Sequence, residues 1–209
     1  MLKLVNGTAK RDKQLITLPK LILHSGEILG LTGPSGCGKS TLAMVLAGMH
    51  PLHSGSLSQS PSKLRIATLE PAIEPIITKH NPNSVQWICQ QPEFAFNPRW
   101  SLERSLTESH PIDTKQLARY KIDPSWLKRF PSELSGGELQ RLNLVRALAP
   151  TTKYLLCDEI TAQLDPLTQR DIWLALCEEV GQRQLGLLVI SHDDDLLNAV
   201  CDRVICFNE

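Results

Sequence analysis

The stretch GPSGCGKS at positions 33–40 limits what this chain can be more than any other. It fits the pattern GxxxxGK[ST], which requires a strand before it and a helix after it. The apolar residues at 27–31 read as that strand, and the segment 40–48 reads as the helix. Glycines at 33, 36 and 38 let the backbone turn so that successive N–H groups point at one spot. The helix N-terminus adds partial positive charge there. Lys39 is then placed to reach the outer phosphates of a nucleotide, and the Ser40 hydroxyl is placed to ligate Mg²⁺.

Two further segments carry chemistry. The strand YLLC ends in two acids, Asp158 and Glu159. A carboxylate at the end of a buried strand beside a phosphate loop suits Mg²⁺, which points to Asp158. Glu159 is then the candidate general base for an attacking water. The segment LSGGELQR at 134–141 sets Ser135, Gly136 and Gly137 before a helix expected at 138–149, where Leu139, Leu142, Val145 and Ala149 share one face and Pro150 ends it. That is a second helix N-terminus with glycines, and so a second anion site. One nucleotide per phosphate loop does not need both on one chain. An economical reading is that each completes the pocket of a partner.

The remaining pattern alternates strands and helices. Strands are expected at 15–23, 27–31, 64–69, 85–89, 153–157, 185–190 and 204–207. A helix capped by Asp165, with Pro166 in its first position, is expected to close at Gly181. The alternation predicts an α/β fold with a mostly parallel sheet. Residues 71–84 hold three prolines and read as an irregular loop, and 92–133 read as a small helical insert cut by prolines.

Composition narrows the partners. Lysine plus arginine equal aspartate plus glutamate at 22 each, so net charge gives no reason to expect nucleic acid. The six cysteines form no CxxC pair, and several sit in apolar runs, so they read as reduced and structural. His50, His53 and His80 have no metal-specific spacing. The N-terminus lacks the apolar core of a signal peptide, and no apolar run approaches the ~20 residues that span a bilayer. A cytoplasmic protein is expected. If it works at a membrane, another chain must supply the span.

The order GPSGCGKS, Gln90, LSGGELQR, YLLCDE, Asp165 and His192 resembles the nucleotide-binding domain of ATP-binding-cassette proteins. The likeness runs over nearly the whole chain, and LSGGE is its most specific part. It implies a single domain over 1–209 with a P-loop NTPase core, an antiparallel β subdomain and a helical subdomain inserted at 92–133. It implies ATP and Mg²⁺, with Gly33, Pro34, Ser35, Gly36, Cys37, Gly38, Lys39, Ser40 and Thr41 on the phosphates. Ser135, Gly136 and Gly137 would meet the nucleotide held by another protomer. Ser40, Gln90 and Asp158 would serve the metal. Glu159, His192 and Gln90 would serve catalysis, with His192 sensing the outer phosphate. Asp165 would lie in a loop that crosses the dimer interface.

A narrower likeness, in QQPEFAFNPRWS at 90–101, is to the ATPases of dipeptide, oligopeptide and nickel importers. It implies a second ATPase subunit, integral-membrane permeases, a solute-binding protein and a place on the cytoplasmic face of the inner membrane. The competing class is a non-transport cassette ATPase acting on DNA or ribosomes. Such chains generally carry coiled-coil arms or tandem cassettes, and neither heptads nor a repeat occurs here. A P-loop kinase or GTPase switch would leave LSGGELQR and His192 unexplained.

The chain departs from the family at the base. Most members carry an aromatic residue about two dozen positions before the phosphate loop, whereas no Phe, Tyr or Trp precedes Trp87 here. Lys10 or Arg11 is the candidate substitute, through a cation–π contact. The family's DEPTSALD reads DEITAQLD, with Ile160 and Gln163 at the changed positions. Neither change touches a phosphate contact.

Overall fold

A computed structural model describes residues 1–11, 14–59, 65–66 and 83–207. Its first sheet is antiparallel. Strand β1 (Leu2–Arg11) pairs with β2 (Gln14–Thr17), β3 (Leu21–Leu23) and β5 (Ser54–Gln59), and β5 pairs with β6 (Arg65–Ile66). The second sheet is wholly parallel. It orders β10 (Arg203–Cys206), β4 (Ile28–Thr32), β9 (Gly186–Ile190), β8 (Tyr154–Asp158) and β7 (Val85–Ile88).

Side-chain alternation along the parallel strands builds two cores. Tyr154, Leu156, Leu188 and Ile190 share one cluster with Leu29, Leu31 and helix α1 (Lys39–Leu46). Leu155, Cys157, Leu187 and Val189 face the other way, onto α4 (Gly136–Ala147) and α5 (Pro166–Arg183). Both faces are covered, so these strands read as apolar runs rather than alternating ones. Each fully buried leucine contributes about 1.5–3 kcal/mol by leaving water.

Within 92–133 the chain forms α2 (Leu102–Leu106), α3 (Thr114–Arg119) and three 3₁₀ turns, at Pro92–Ala95, Pro124–Lys128 and Pro131–Glu133. Proline opens each of the three turns, which explains why the insert never makes a long helix. The first turn and α2 pack against α4. A sixth helix, α6 (Asp194–Val200), follows β9.

Several expectations are corrected. The strand expected at 15–23 is two strands, β2 and β3, separated at Leu18–Pro19–Lys20, where the Leu18 amide donates to the Gly7 carbonyl at 2.8 Å. Gly181 does not close α5. The helix runs on to Arg183, and Gln184 takes the left-handed conformation instead, at φ 54°. Arg183 explains the extension: its guanidinium donates to the carbonyls of Ala149 at 2.6 Å and Leu148 at 3.2 Å, and to Glu179 at 3.2 Å. Helix α4 starts at Gly136 and ends at Ala147, before Pro150 can act, and Thr152 Oγ1 caps the Ala147 carbonyl at 2.7 Å.

Strands β1 and β5 and helix α6 escaped the sequence reading. Asn6-Gly7 interrupts the alternation of β1, where Asn6 sits at φ 52°, and SGSLSQ offers a single apolar residue. Of the strand expected at 64–69 only Arg65–Ile66 is described, and most of the loop expected at 71–84 lies outside the described residues. No described helix is long and apolar enough to cross a membrane.

Candidate active site

Four neighbouring strands deliver the candidate residues to one edge. The phosphate loop follows β4, His192 follows β9, Asp158 and Glu159 end β8, and Gln90 follows β7. In open parallel sheets the crevice beyond the carboxyl ends is where ligands bind. Asp158 has the parity of Tyr154 and Leu156, so its carboxylate lies on the α1 side, where Ser40 and Lys39 begin their helix.

The loop itself is tightly built. Gly38 lies at φ 116°, and a Cβ there would come within 2.8 Å of Ile16 Cδ1 and 3.1 Å of Phe207 Cζ. Glycine is needed at this point both for conformation and for space. Lys39 Nζ donates to the Gly33 carbonyl at 2.7 Å and the Pro34 carbonyl at 3.0 Å, and lies 3.2 Å from His192 Nε2. Arg11 reaches over from β1 and donates to the Gly36 carbonyl at 3.0 Å. The sequence offered Lys10 or Arg11 for a base contact; the structure puts the Arg11 guanidinium on the loop. Ile16 and Phe207 are neighbours that sequence reading missed. Phe207 reaches the loop because Cys206 pairs with Thr32 across β10 and β4, and its place after the last strand was its only signal.

Asp158 is buried, and burial pushes its carboxyl above the ordinary range, with the Glu159 charge adding to the effect. The Ser40 hydroxyl and the Lys39 ammonium oppose that shift. The Trp87 indole N–H leans toward the same carboxylate without completing a hydrogen bond. A buried carboxylate beside a hydroxyl is a hard-oxygen donor set, which fits Mg²⁺.

Glu159 adopts φ 52°, a left-handed backbone that costs a non-glycine residue about 1–2 kcal/mol. Its amide donates to the Ile190 carbonyl at 3.0 Å, which fixes the turn. The result aims its side chain at His192, with Oε1 3.1 Å from Nε2. Glu159 and His192 line a cleft with Ser191 and Asp193, and Asp193 caps α6 by accepting from the Leu196 amide at 3.0 Å.

Ser135, Gly136 and Gly137 lie in a different cleft. Ser135 and Glu138 form a capping box: the Ser135 amide donates to Glu138 Oε2 at 2.8 Å, and the Glu138 amide donates to Ser135 Oγ at 3.3 Å. They line a cavity of about 530 Å³ with Gln90, Asp165 and Thr168. Among the described residues no hydrogen bond ties Gln90 to Ser40 or Asp158, so the structure groups Gln90 with the serine rather than with the metal candidates. A Cβ on Gly136 would meet nothing within 4 Å, and one on Gly137 only ordinary contacts at 3.5 Å. Neither glycine has a positive φ. Nothing among the described residues requires glycine at these two positions.

Comparisons with known proteins show the family and the fold. A family model described as ABC transporter matches residues 18–162. The nickel import system ATP-binding protein NikE of Staphylococcus aureus is 30% identical over 224 aligned positions, covering 100% of this chain and 87% of that protein. The dimeric structure of a bacterial ABC transporter cassette superposes with a TM-score of 0.77 at 22% identity, covering 99% of this chain and 94% of that one. The ATP-binding subunit of an ABC transporter superposes at 0.80 with 20% identity, covering 99% and 85%.

Proposed function

The chain belongs to the ABC transporter family, whose members of this kind are ATP hydrolases, and from that premise we propose that it powers an importer of the dipeptide, oligopeptide or nickel type. The nickel importer relative supports import, and the segment at 90–101 supports the subgroup.

The observation that carries the mechanism is the separation of two half-sites on one chain. One is the phosphate loop with Asp158, Glu159 and His192. The other is the Ser135 end of α4, whose glycines are open toward the outside. Two copies, or this chain and a related ATPase, close so that each serine end covers the nucleotide on the other's phosphate loop. Residues 33–41 hold the phosphates through backbone N–H groups, and Lys39 leaves the Gly33 and Pro34 carbonyls to pair with the outer phosphates. Ser40 and Asp158 would hold Mg²⁺, which would offset phosphate charge. Glu159 orients and polarises the water, and His192 holds the Glu159 carboxylate while facing the outer phosphate. Gln90 joins the metal side once its loop moves.

Closure of the two chains would act on permease subunits. Their docking place is a groove of about 1070 Å³ lined by Met49, Phe94, Trp100 and Arg104, beside the 90–101 segment. Phe94 is 81% exposed there, and the Arg104 guanidinium stacks 4.0 Å from the Trp100 ring. A solute-binding protein completes the system, which places the chain at the cytoplasmic face of the membrane.

Light scattering of a Glu159→Gln chain tests the shared site. The particle mass is expected to double on adding ATP, and a Ser135→Arg change in the same chain is expected to prevent it. A chain that stays monomeric with ATP at every concentration would rule out a site shared by two copies of this chain and leave only pairing with a related ATPase.

A further inference from the structure

Helix α4 carries an amide left unsatisfied among the described residues. Gln140 is 1% exposed, and neither its Nε2 nor its Oε1 has a hydrogen-bond partner among the described residues. Buried polar groups are ordinarily paired, because an unpaired one keeps its desolvation cost without return. Its neighbour Arg141 follows that rule: Nη1 donates to the Tyr120 carbonyl at 3.1 Å, and Nη2 meets Asp171 at 3.4 Å.

The place of this amide suggests its use. Gln140 lines the 530 Å³ cavity that also holds Gln90, Ser135 and Asp165. One wall of the cavity is α4. The other is made by the segments that follow β7 and β8, which carry Gln90 and Asp165. Gln90 is exposed, and its amide has no hydrogen bond among the described residues. The Gln140 amide can both donate and accept, so it can meet backbone N–H and C=O groups of the segment at 90–93 while the Gln90 side chain stays free for the metal side.

We infer that Gln140 is a positioning residue for the hydrolysis reaction: its amide anchors the segment at 90–93 when that segment moves against α4 as two chains close on nucleotide. The inference rests on the composite site proposed above. Gln140 does not touch the phosphate loop, so it acts through Gln90 and not on ATP itself. The unpaired amide is a cost of the open arrangement that closure removes. The helix that Ser135 caps and the segment after β7 that carries Gln90 are thereby linked through Gln140, inside the stretch LSGGELQR.

The test uses the full chain with Gln140→Leu and, as a second variant of matching length, Gln140→Met. A purely structural glutamine would lower both stability and turnover when replaced. Here the two readouts should move in opposite directions. The melting temperature of the nucleotide-free chain is expected to rise by roughly 2–4 °C. ATP binding should be unchanged, while turnover at saturating ATP falls by about tenfold to a hundredfold, as for a misplaced reacting group. In a Gln90→Ala background the same change should add no further loss, because the two residues act as one unit. Turnover equal to the parent in both variants would overturn the inference, and so would a full additional loss in the Gln90→Ala background. Parental turnover strictly proportional to protein concentration would instead overturn the composite site, a result visible without any Gln140 variant.

Discussion

His192 Nε2 stands 3.1 Å from Glu159 Oε1, and sheet register puts it there. Asp158 pairs with Ile190 across β8 and β9, so one residue beyond the first and two beyond the second leave adjacent strands at the same edge. Lys39 Nζ lies 3.2 Å from the same imidazole nitrogen. A carboxylate so held can take a proton from water, whereas a carboxamide of the same shape cannot. Glu159→Gln is therefore expected to slow phosphate release by about 10²–10⁴-fold, the usual share of general base catalysis. Equilibrium ATP binding should remain near that of the parent. Unimpaired hydrolysis in the variant would remove Glu159 from the mechanism.

Asp158 provides a prediction of opposite sign for stability. Burial raises its carboxyl pKa in the folded chain above the unfolded value. The folded state then binds more protons between those two values, so this group's contribution to stability falls as pH rises through that window. At neutral pH the ionised form is a net burden on the nucleotide-free fold. Asp158→Asn should raise the melting temperature at pH 7 and flatten its rise toward acid pH. It should also abolish the Mg²⁺ dependence of ATP binding. Calorimetry across pH and ATP titration with and without Mg²⁺ read the two effects separately. A lower melting temperature in the variant at pH 7 would contradict the burial argument.

Gly136 tests the shared site from the other side. Among the described residues a Cβ there meets nothing within 4 Å, and at the first residue of α4 alanine is favoured over glycine by at most the mid-helix value of about 0.5–1 kcal/mol. Gly136→Ala should stabilise the monomer by up to that amount in urea unfolding. If a partner's nucleotide approaches this backbone closely, the same methyl group should reduce ATP-driven dimerisation and turnover. A more stable chain with unaltered turnover would show that the position is merely a helix end.

Much of the parallel sheet was readable from sequence because both of its faces are buried. Val, Leu and Ile runs ending at Asp158 or Ile190 look like strands whatever surrounds them. Strands β1 and β5 were not readable, because one face of each is solvated and Asn6-Gly7 breaks the pattern. Gly181 misled because a glycine near a helix end usually stops it, while the force that prolongs α5 is tertiary: Arg183 binding the carbonyls of Leu148 and Ala149. The candidate site was readable in its motif residues and unreadable in their company. No local pattern signals that Arg11 meets Gly36, that Phe207 packs on Gly38, or that Gln140 is buried unpaired. Those facts follow from how distant strands and helices come together.

The last prediction concerns the base. No aromatic residue precedes Trp87, so the usual stacking partner for adenine is missing. Arg11 does not replace it freely, because its guanidinium is held at 3.0 Å by the Gly36 carbonyl. The neighbouring side chain of the same hairpin, Ile16, packs toward Gly38 and offers an aliphatic surface. An aliphatic surface reads no donor or acceptor on a purine edge, the Arg11 guanidinium is tied to the loop, and the loop grips phosphates in every nucleoside triphosphate alike. Base stacking on an aromatic is worth about 1–3 kcal/mol for any base, and without it the phosphates, which all nucleoside triphosphates share, carry most of the binding. GTP should therefore compete with ATP at similar concentrations and be hydrolysed at a comparable rate. Introducing a ring with Ile16→Tyr should tighten binding of both purines by up to about tenfold, corresponding to the lower part of that range. Strong preference of the parent chain for ATP in a competition assay would show that a base-reading contact exists elsewhere on the surface.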